Sequence, residues 1–319
     1  MKVLFLTQTT ELGPASRYRV YQFLPALKAA GVEYEMSPAI RDDEYAAYFG
    51  GSKLAKALFL PRVYARRRRD LARFGKFDVA FVQKEFFPLD WPQWKFTGRM
   101  IYDFDDAVFG AGTQRLMAAS AQVFAGNAWL AERAPQAVVM PTVVDTERFV
   151  PGEPRVAETP VVGWMGSRTT NKYLEMIRGA LTGWRVKAVS AVKPAVDCEF
   201  EAWSLEREVA LTQSFDIGLA PLADTEWERG KCGLKTLQYL ACGVPVVGSP
   251  VGVQRAMIER SGGGLLAASG AEWRQGIKWL ATHPAERQAM GERGRAFVMK
   301  RYSLQEWAPH WVAAVTSGK

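Results

Sequence analysis

Histidine and cysteine are scarce in this chain of 319 residues, which carries two histidines and three cysteines. Both histidines, His283 and His310, lie late in the sequence, and so few of them argue against a histidine-based zinc site or a conventional catalytic triad. The cysteines lack metal-ligand spacing, and their odd number argues against a disulfide framework. We therefore expect a protein of the reducing cytoplasm without a metal site.

Long apolar runs and internal repeats are also missing. No run approaches the roughly 20 residues of a membrane-spanning helix. The apolar start, residues 1–6, is too short for a signal-peptide core and predicts a buried first strand. The hydrophobic share of 48% and the charged share of 23% are ordinary for a soluble globular protein.

Positive charge is concentrated in one stretch, residues 53–76, which holds nine lysines and arginines and one acid. Its net charge of +8 equals that of the whole chain, so the remaining charges balance. Apolar residues interleave with these cations, a pattern typical of an element at an anionic membrane surface. A solvated helix beside the core is the alternative. We expect no nucleic-acid partner, because no recognised reading motif accompanies the charge.

Strand and helix patterns alternate through both halves of the chain. Predicted strands lie at residues 3–6, 34–37, 79–83, 100–103, 138–140, 161–165, 186–189, 217–220 and 244–247. Predicted helices lie at residues 18–30, 115–124, 173–181, 205–213, 234–242, 254–260, 272–281 and 285–301. This alternation predicts an α/β protein of two doubly wound, Rossmann-like parallel-sheet domains. The linker is expected in the proline-rich stretch 151–160.

Two loops that follow predicted strands carry glycine and cations. After the first strand, Gly13 permits close backbone approach, Ser16 is placed to cap a helix, and Arg17 and Arg19 follow in its first turn. Cations there oppose the helix dipole, which favours an anionic ligand; arginines paired with nearby acids are the alternative. In the second loop, after strand 161–165, Gly166 and Ser167 form a small-residue turn. Arg168, Thr170 and Lys172 can contact a phosphate there, together with the free amides of the next helix. A plain strand-to-helix turn is the alternative there.

The segment 230–252 predicts a helix, a glycine break at Gly243, a buried strand and a glycine loop. Lys231 and Lys235 lie at the positive N-terminal end of that helix, which suits a phosphate or diphosphate. Trp227, just before it, is a candidate to stack on a sugar ring or a base, although a lone tryptophan more often packs in a core.

Three carboxylates stand together in Tyr102-Asp-Phe-Asp-Asp106. Such crowding is costly unless the groups are solvated, paired or used, and a crowded carboxyl group can serve as an acid or base. Helix capping by Asp105 or Asp106 is an equally weighted alternative.

Ala241-Cys-Gly-Val-Pro-Val-Val247 resembles the donor-binding signature of the family-4 (group 1) glycosyltransferases, which have the GT-B fold. Pro141-Thr-Val-Val-Asp-Thr-Glu-Arg-Phe149, Asp216-Ile-Gly-Leu-Ala-Pro-Leu222 and the pairs Tyr302-Ser303 and Glu306-Trp307 resemble further family elements. Two family glutamates are replaced. Gly230 stands at the first position, where Glu226, Glu228 or Lys231 are candidate substitutes, and Gln238 stands at the second, where an amide can still accept a hydrogen bond from ribose.

This resemblance implies two domains that face a cleft. An acceptor-side domain spans residues 1–152, a nucleotide-sugar domain spans 153–301, and a helix at 302–319 crosses back to the first domain. It further implies transfer of a sugar from a UDP- or GDP-sugar to an acceptor hydroxyl, with retention of configuration and without a metal or other cofactor. Asp105, Asp106 and Lys231 are the catalytic candidates. The binding candidates are Gly13, Arg17, Arg19, Gly166, Ser167, Arg168, Lys172, Trp227, Lys235 and Gln238.

The implied acceptor is a sugar, a lipid-linked compound or a small molecule, in cell-surface polysaccharide or glycolipid synthesis. A cytoplasmic protein that binds the inner face of the membrane through residues 53–76 fits this role. Three alternatives stay open: a nucleotide-sugar-binding protein without turnover, an inverting or epimerising GT-B enzyme, and a membrane-surface adaptor that uses the basic stretch alone.

Overall fold

The computed structural model describes residues 1–86, 98–153 and 159–317, of which 53–55 are described by their backbone alone. The chain divides into two compact units. Unit 1 comprises Met1–Thr142 and Trp307–Lys319, and unit 2 comprises Val143–Glu306. Part of the predicted linker, residues 154–158, lies outside the described residues.

Unit 1 is built on one six-stranded parallel sheet in the order β2-β1-β3-β4-β5-β6. Its strands are β1 (Lys2–Leu6), β2 (Glu33–Met36), β3 (Val79–Gln83), β4 (Arg99–Phe104), β5 (Gln122–Ala125) and β6 (Ala137–Val139). The central strands β1 and β3 are apolar and buried on both faces, as parallel sheets covered by helices require.

Six α-helices accompany this sheet within the described part of unit 1. They are α1 (Pro14–Arg19), α2 (Leu24–Ala29), α3 (Asp42–Gly50), α4 (Lys53–Arg73), α5 (Ala111–Ala119) and α6 (Ala128–Ala131). Short 3₁₀ turns lie at Tyr21–Phe23 and Phe74–Lys76. The basic stretch is therefore mostly the 21-residue helix α4.

Unit 2 is built on a second six-stranded parallel sheet in the order β12-β11-β10-β7-β8-β9. Its strands are β7 (Val161–Met165), β8 (Arg185–Ser190), β9 (Glu199–Ala202), β10 (Ile217–Ala220), β11 (Val246–Gly248) and β12 (Gly264–Leu266). Two parallel sheets flanked by helices confirm the predicted α/β architecture of doubly wound domains.

Nine helical elements belong to the described part of unit 2. They are a 3₁₀ turn (Arg168–Thr170), α7 (Asn171–Met176), α8 (Arg178–Leu181), α9 (Glu208–Gln213), α10 (Glu226–Arg229), α11 (Leu234–Ala241), α12 (Gly252–Ser261), α13 (Gly270–Thr282) and α14 (Pro284–Arg301). The last helix, α15 (Leu304–Thr316), begins in unit 2 and continues into unit 1.

The unit boundaries differ from those expected from the sequence, which lay at residues 152/153 and 301/302. The chain passes into unit 2 at Val143, because the segment after Thr142 is held by its C-terminal part: Val144 pairs with Ser303, and the Arg295 guanidinium donates to the Phe149 carbonyl oxygen at 2.8 Å. In unit 1, Trp311 is fully buried, and its ring stacks on Phe23 with 4.8 Å between ring centroids.

Three predicted helices differ from the structure. Residues 173–181 are divided between α7 and α8. Residues 115–124, predicted as one helix, form the end of α5 and the first three residues of strand β5. Residues 18–30 are divided among α1, a 3₁₀ turn and α2. Ser16 lies inside α1 rather than at its cap, which is Gly13.

Candidate active site

The strand order of unit 2 reverses between β7 and β10. From β7 the chain continues to β8 on one side, while β10 lies on the other side and is followed outward by β11. A reversal of this kind opens a crevice at the carboxyl ends of the two strands, where open α/β sheets bind ligands. The loop after β7 and the segment between β10 and α11 both start at this crevice.

Direct contacts join these two segments. The ammonium of Lys235, in the first turn of α11, lies 3.4 Å from the hydroxyl oxygen of Thr170. The Tyr173 hydroxyl donates a hydrogen bond to the buried carboxylate of Glu228 in α10. The structure therefore brings the two predicted phosphate-binding segments together at one edge of the sheet.

The turn after β7 is shaped by packing as well as by caps. A Cβ atom at Gly166 would lie 2.1 Å from the ring of buried Trp164, so the turn requires glycine there. Ser167 precedes the 3₁₀ turn, and its backbone N–H donates to the Thr170 hydroxyl at 2.8 Å. Arg168 and Lys172 are exposed, as phosphate contacts would be.

Each lysine of the pair faces an aromatic ring. The Lys231 ammonium lies 5.5 Å from the ring centroid of Trp227, which is 44% exposed. The Lys235 ammonium lies 5.3 Å from the centroid of Trp164. Burial and, to a smaller extent, repulsion from Lys231 together lower the pKa of Lys235 to about 7. An anion bound between the two ammonium groups would relieve that repulsion.

The glutamine at the second replaced glutamate position and one candidate substitute for the first are both buried. Gln238 is buried, and its amide donates to the Glu208 carboxylate at 3.1 Å. Glu228 accepts hydrogen bonds from Tyr173 and Thr225 and is buried, so it does not fit the substitute role considered for it. Sequence reasoning missed Glu208, whose partner lies 30 residues away along the chain.

The strand order of unit 1 also reverses, here between β1 and β3. Gly13 lies in the loop after β1, where a Cβ atom would be 2.0 Å from the Thr9 hydroxyl oxygen. Close packing against Thr9 therefore leaves no space for a Cβ atom at this position, even without a ligand. Ser16 accepts a hydrogen bond from the Thr9 N–H at 3.1 Å and bonds to the Gln83 side chain at 2.9 Å, which ties the loop to β3.

The two arginines of α1 are buried rather than presented to solvent. Arg19 forms a buried, bidentate ion pair with Asp103 and donates to the Met140 carbonyl oxygen at 2.5 Å. The predicted ligand role of Arg19 does not fit this position, because its guanidinium is held by interior acceptors. Arg17 donates to the Glu11 carbonyl oxygen at 2.7 Å and so closes the loop.

Asp105 and Asp106 follow β4 and share one cation that sequence reasoning missed. The Lys84 ammonium, at the end of β3, lies 3.0 Å from Asp105 and 2.5 Å from Asp106. Neither carboxylate caps α5, whose N-cap is Gly110. The three crowded carboxylates therefore have different cations: Asp103 pairs with Arg19, and Asp105 and Asp106 pair with Lys84.

Helix α4 places some cations inward and others outward. Arg67 is fully buried and donates to the Thr7 and Ser37 carbonyl oxygens, and Arg66 and Arg73 pair with acids. The exposed residues of the outward face include Leu58, which is 71% exposed, together with Arg62, Arg68 and Arg69. Lys76, in the 3₁₀ turn after the helix, is also exposed.

Residues 174–313, somewhat under half of the chain, match the family model described as "Glycosyl transferase-like". The matched region includes α11 and the lysine pair, and it begins after the loop that follows β7. This part of the chain is similar to the group 1 glycosyltransferases. No curated protein sequence matches it significantly.

Solved glycosyltransferases share the fold along their full length. Sucrose-phosphate synthase from Thermosynechococcus elongatus matches with a TM-score of 0.71 and 14% identity, over 98% of this chain and 97% of that one. HepE of Anabaena, solved with UDP-glucose, matches with a TM-score of 0.69 and 13% identity, over all of both chains. WaaG, involved in lipopolysaccharide biosynthesis, matches with a TM-score of 0.68 and 12% identity, over 99% of this chain and 100% of that one. The similarity of these structures shows that the chain has the GT-B fold. At such low sequence identities it shows the fold alone.

Two structural features are absent from residues 1–86, 98–153 and 159–317. No group of three or more histidine, cysteine, aspartate or glutamate side chains is placed to hold a metal ion. No helix in the same ranges is long and apolar enough to cross a membrane.

Proposed function

We propose that this glycosyltransferase moves a sugar from a UDP-sugar to the hydroxyl of a sugar acceptor. The observation that carries the proposal is the lysine pair at the unit 2 crevice. Lys231 and Lys235 lie where the strand order reverses, next to a helix turn with exposed cations. UDP is chosen over GDP because the structurally similar HepE was solved with UDP-glucose.

The diphosphate of the donor is the group that this crevice suits. Lys231, Lys235, Arg168 and Lys172 supply positive charge, and the backbone N–H groups of the turn after Gly166 supply donors. Transfer releases a nucleoside diphosphate, and preorganised cations stabilise the negative charge that develops on it. Four protein cations can do this without a metal ion, so we propose metal-independent transfer. Trp227 is then placed to stack on the donor.

Asp105 and Asp106 are the proposed acceptor-side catalytic residues, in the same unit as the loop that holds Gly13 and Arg17. We propose retention of configuration, in which the leaving phosphate takes the acceptor proton and no protein nucleophile acts. Analysis of the anomer of the product by NMR tests this: an inverted product would contradict it.

The outward face of α4 is proposed to bind the anionic cytoplasmic face of a membrane. Each exposed cation near such a surface contributes about 1 kcal/mol, and Leu58 adds an apolar contact. A lipid-linked acceptor in glycolipid or cell-surface polysaccharide synthesis fits this placement, and WaaG offers a structural parallel. Sedimentation with anionic vesicles tests the surface. Charge reversal at Arg62 and Arg69 is expected to abolish binding, and unchanged binding would contradict the proposal.

The donor is tested by thermal stability against UDP, GDP, ADP and CMP and their sugars, with a chelator present. A ligand at about 100 times its dissociation constant adds about 2.7 kcal/mol. We expect a clear upward shift with UDP and UDP-sugars. No shift with any nucleotide, in a folded sample, would contradict the proposed function.

A further inference from the structure

Trp164 lies at the end of β7, next to the strand-order reversal of unit 2, and the turn that follows packs against its ring. The side chain is 1% exposed. A Cβ atom at Gly166 would lie 2.1 Å from the indole and 2.7 Å from the Thr170 hydroxyl oxygen. The indole therefore supports the backbone of the turn from inside the unit.

One face of α11 is directed at the same strand end. Lys235 and Tyr239 are four residues apart, so they lie on one face of the helix. The Met165 N–H donates to the hydroxyl oxygen of the fully buried Tyr239 at 2.8 Å, which holds this face against the end of β7. One turn earlier in α11, the Lys235 ammonium lies over the ring of Trp164, 5.3 Å from the ring centroid.

The partners of the Lys235 ammonium are an indole ring and a hydroxyl group rather than an acid. The side chain is half-buried, and its ammonium donates to the Thr170 hydroxyl at 3.4 Å. Among the described residues, no carboxylate pairs with this ammonium, and the charge that acts on it is that of a second cation, Lys231. The face of an indole is the strongest aromatic partner for a cation, and the attraction is largest where water is excluded.

An indole stabilises an ammonium without neutralising it. A carboxylate in the same place would compete with an incoming phosphate for the cation and would repel the phosphate. The indole carries no net charge, so the full charge of Lys235 remains for the ligand. This arrangement suits a site that binds a diphosphate through its own cations.

We propose that Trp164 is a positioning residue for the donor, because its indole face holds the charged Lys235 ammonium where the diphosphate binds. This inference rests on the proposed sugar transfer and adds to its donor site a residue that acts through Lys235. Trp164 itself is buried and is not proposed to contact the donor.

The test is calorimetric titration of UDP-glucose into the full-length protein between about pH 6 and pH 9. UDP-glucose lacks a terminal phosphate group, so its charge stays constant over this range, unlike that of UDP. For the wild type, we expect the affinity to fall as the pH rises through the pKa of Lys235, about 7. The affinity falls because the lysine loses the charge that binds the diphosphate.

Trp164→Leu removes the aromatic partner of the ammonium, so burial should lower the pKa of Lys235 further. The decline in UDP-glucose affinity should move to lower pH. At about pH 8 the affinity should be about three- to thirtyfold weaker than that of the wild type, the range of a cation–π contact. Trp164→Phe retains a ring and should give a smaller shift in the same direction, which provides the reading if Trp164→Leu does not fold.

A double-mutant cycle with Lys235→Met separates positioning from a purely structural role. In the Lys235→Met background, a substitution of Trp164 should no longer change the UDP-glucose affinity or its pH dependence, because the ring has no ammonium to hold. Trp273→Leu, at another buried tryptophan of the unit 2 core, is the matched control. It should lower the thermal stability and leave the pH dependence unchanged.

Three results would overturn the role of Trp164. They are a pH dependence that is unshifted in the Trp164 variants, an effect of these variants that persists without Lys235, and an equal shift in Trp273→Leu. A wild-type protein that binds no UDP-glucose at any pH would instead overturn the proposed donor, and this inference with it.

Discussion

Single charged residues of this protein divide into those held in the interior and those presented at a sheet edge. Arg19 and Arg67 are buried and bind carboxylates and carbonyl oxygens. Lys231, Lys235 and Lys172 lie at the unit 2 crevice. A cation that follows a strand therefore indicates a ligand site only when the interior does not already hold it.

Arg19→Met tests the interior role of the buried pair. Asp103 would be left buried without its cation, and breaking such a pair costs about 3–5 kcal/mol. The free energy of unfolding, from denaturant titration, should fall by that amount, while the UDP affinity of the folded protein stays the same. The double variant with Asp103→Asn should recover part of the loss. A stable Arg19→Met protein with weakened UDP binding would restore the ligand role.

The lowered pKa of Lys235, about 7, predicts a pH-dependent stability. The unfolded lysine keeps its proton up to about pH 10.4, so between pH 7 and that value the unfolded state binds more protons. The contribution of Lys235 to the free energy of unfolding therefore rises with pH across this window. We expect Lys235→Met to be more stable than the wild type below pH 7, and the difference to vanish near pH 10. A stability difference between the variant and the wild type that is independent of pH would contradict the lowered pKa of Lys235.

Helix packing in unit 2 depends on one close backbone approach. A Cβ atom at Gly291 of α14 would lie 2.0 Å from the Gly243 carbonyl oxygen, at the end of α11, whereas one at Gly179 of α8 meets nothing within 4 Å. Gly179→Ala should be neutral or stabilise by up to about 1 kcal/mol through helix propensity. Gly291→Ala should destabilise by about 1–3 kcal/mol despite the same propensity gain. Thermal unfolding compares the two, and equal effects would contradict the packing account.

Elements with strong apolar runs could be predicted from the sequence, and edge elements could not. The central strands β3, β7 and β10 match their predicted bounds because they are buried on both faces. The edge strand β9 was missed because it is short and largely exposed, and β12 because it has three residues. Strand β5 was absorbed into a predicted helix, since its apolar residues continue the pattern of α5.

The candidate site could be predicted in part for a similar reason. Glycine and lysine next to strand ends mark the unit 2 crevice in the sequence, and the contact between Lys235 and Thr170 joins the two segments. Lys84 carries no such mark. Its ion pairs join it to carboxylates more than 20 residues away, and its backbone is left-handed. A local sequence pattern contains neither feature.

Across the whole molecule, both sheets have a reversed strand order and place charged side chains at the carboxyl ends of the strands beside the reversal. Unit 2 places Lys231 and Lys235 there, which suits the diphosphate of a donor. Unit 1 places Lys84, Asp105 and Asp106 there. An adaptor role for α4 alone would leave both of these edges without a function.

The most direct test of the account is calorimetric titration of UDP into the chelator-treated protein and its lysine variants. We predict metal-independent binding to the wild type. Lys231→Ala and Lys235→Ala should each weaken it by about 1.5–3 kcal/mol, the range of charge-assisted hydrogen bonds. Lys300→Ala, an exposed lysine of α14, is the control and should leave the affinity unchanged. No binding to the wild type, or equal binding to the variant that lacks both crevice lysines, would contradict the central claim.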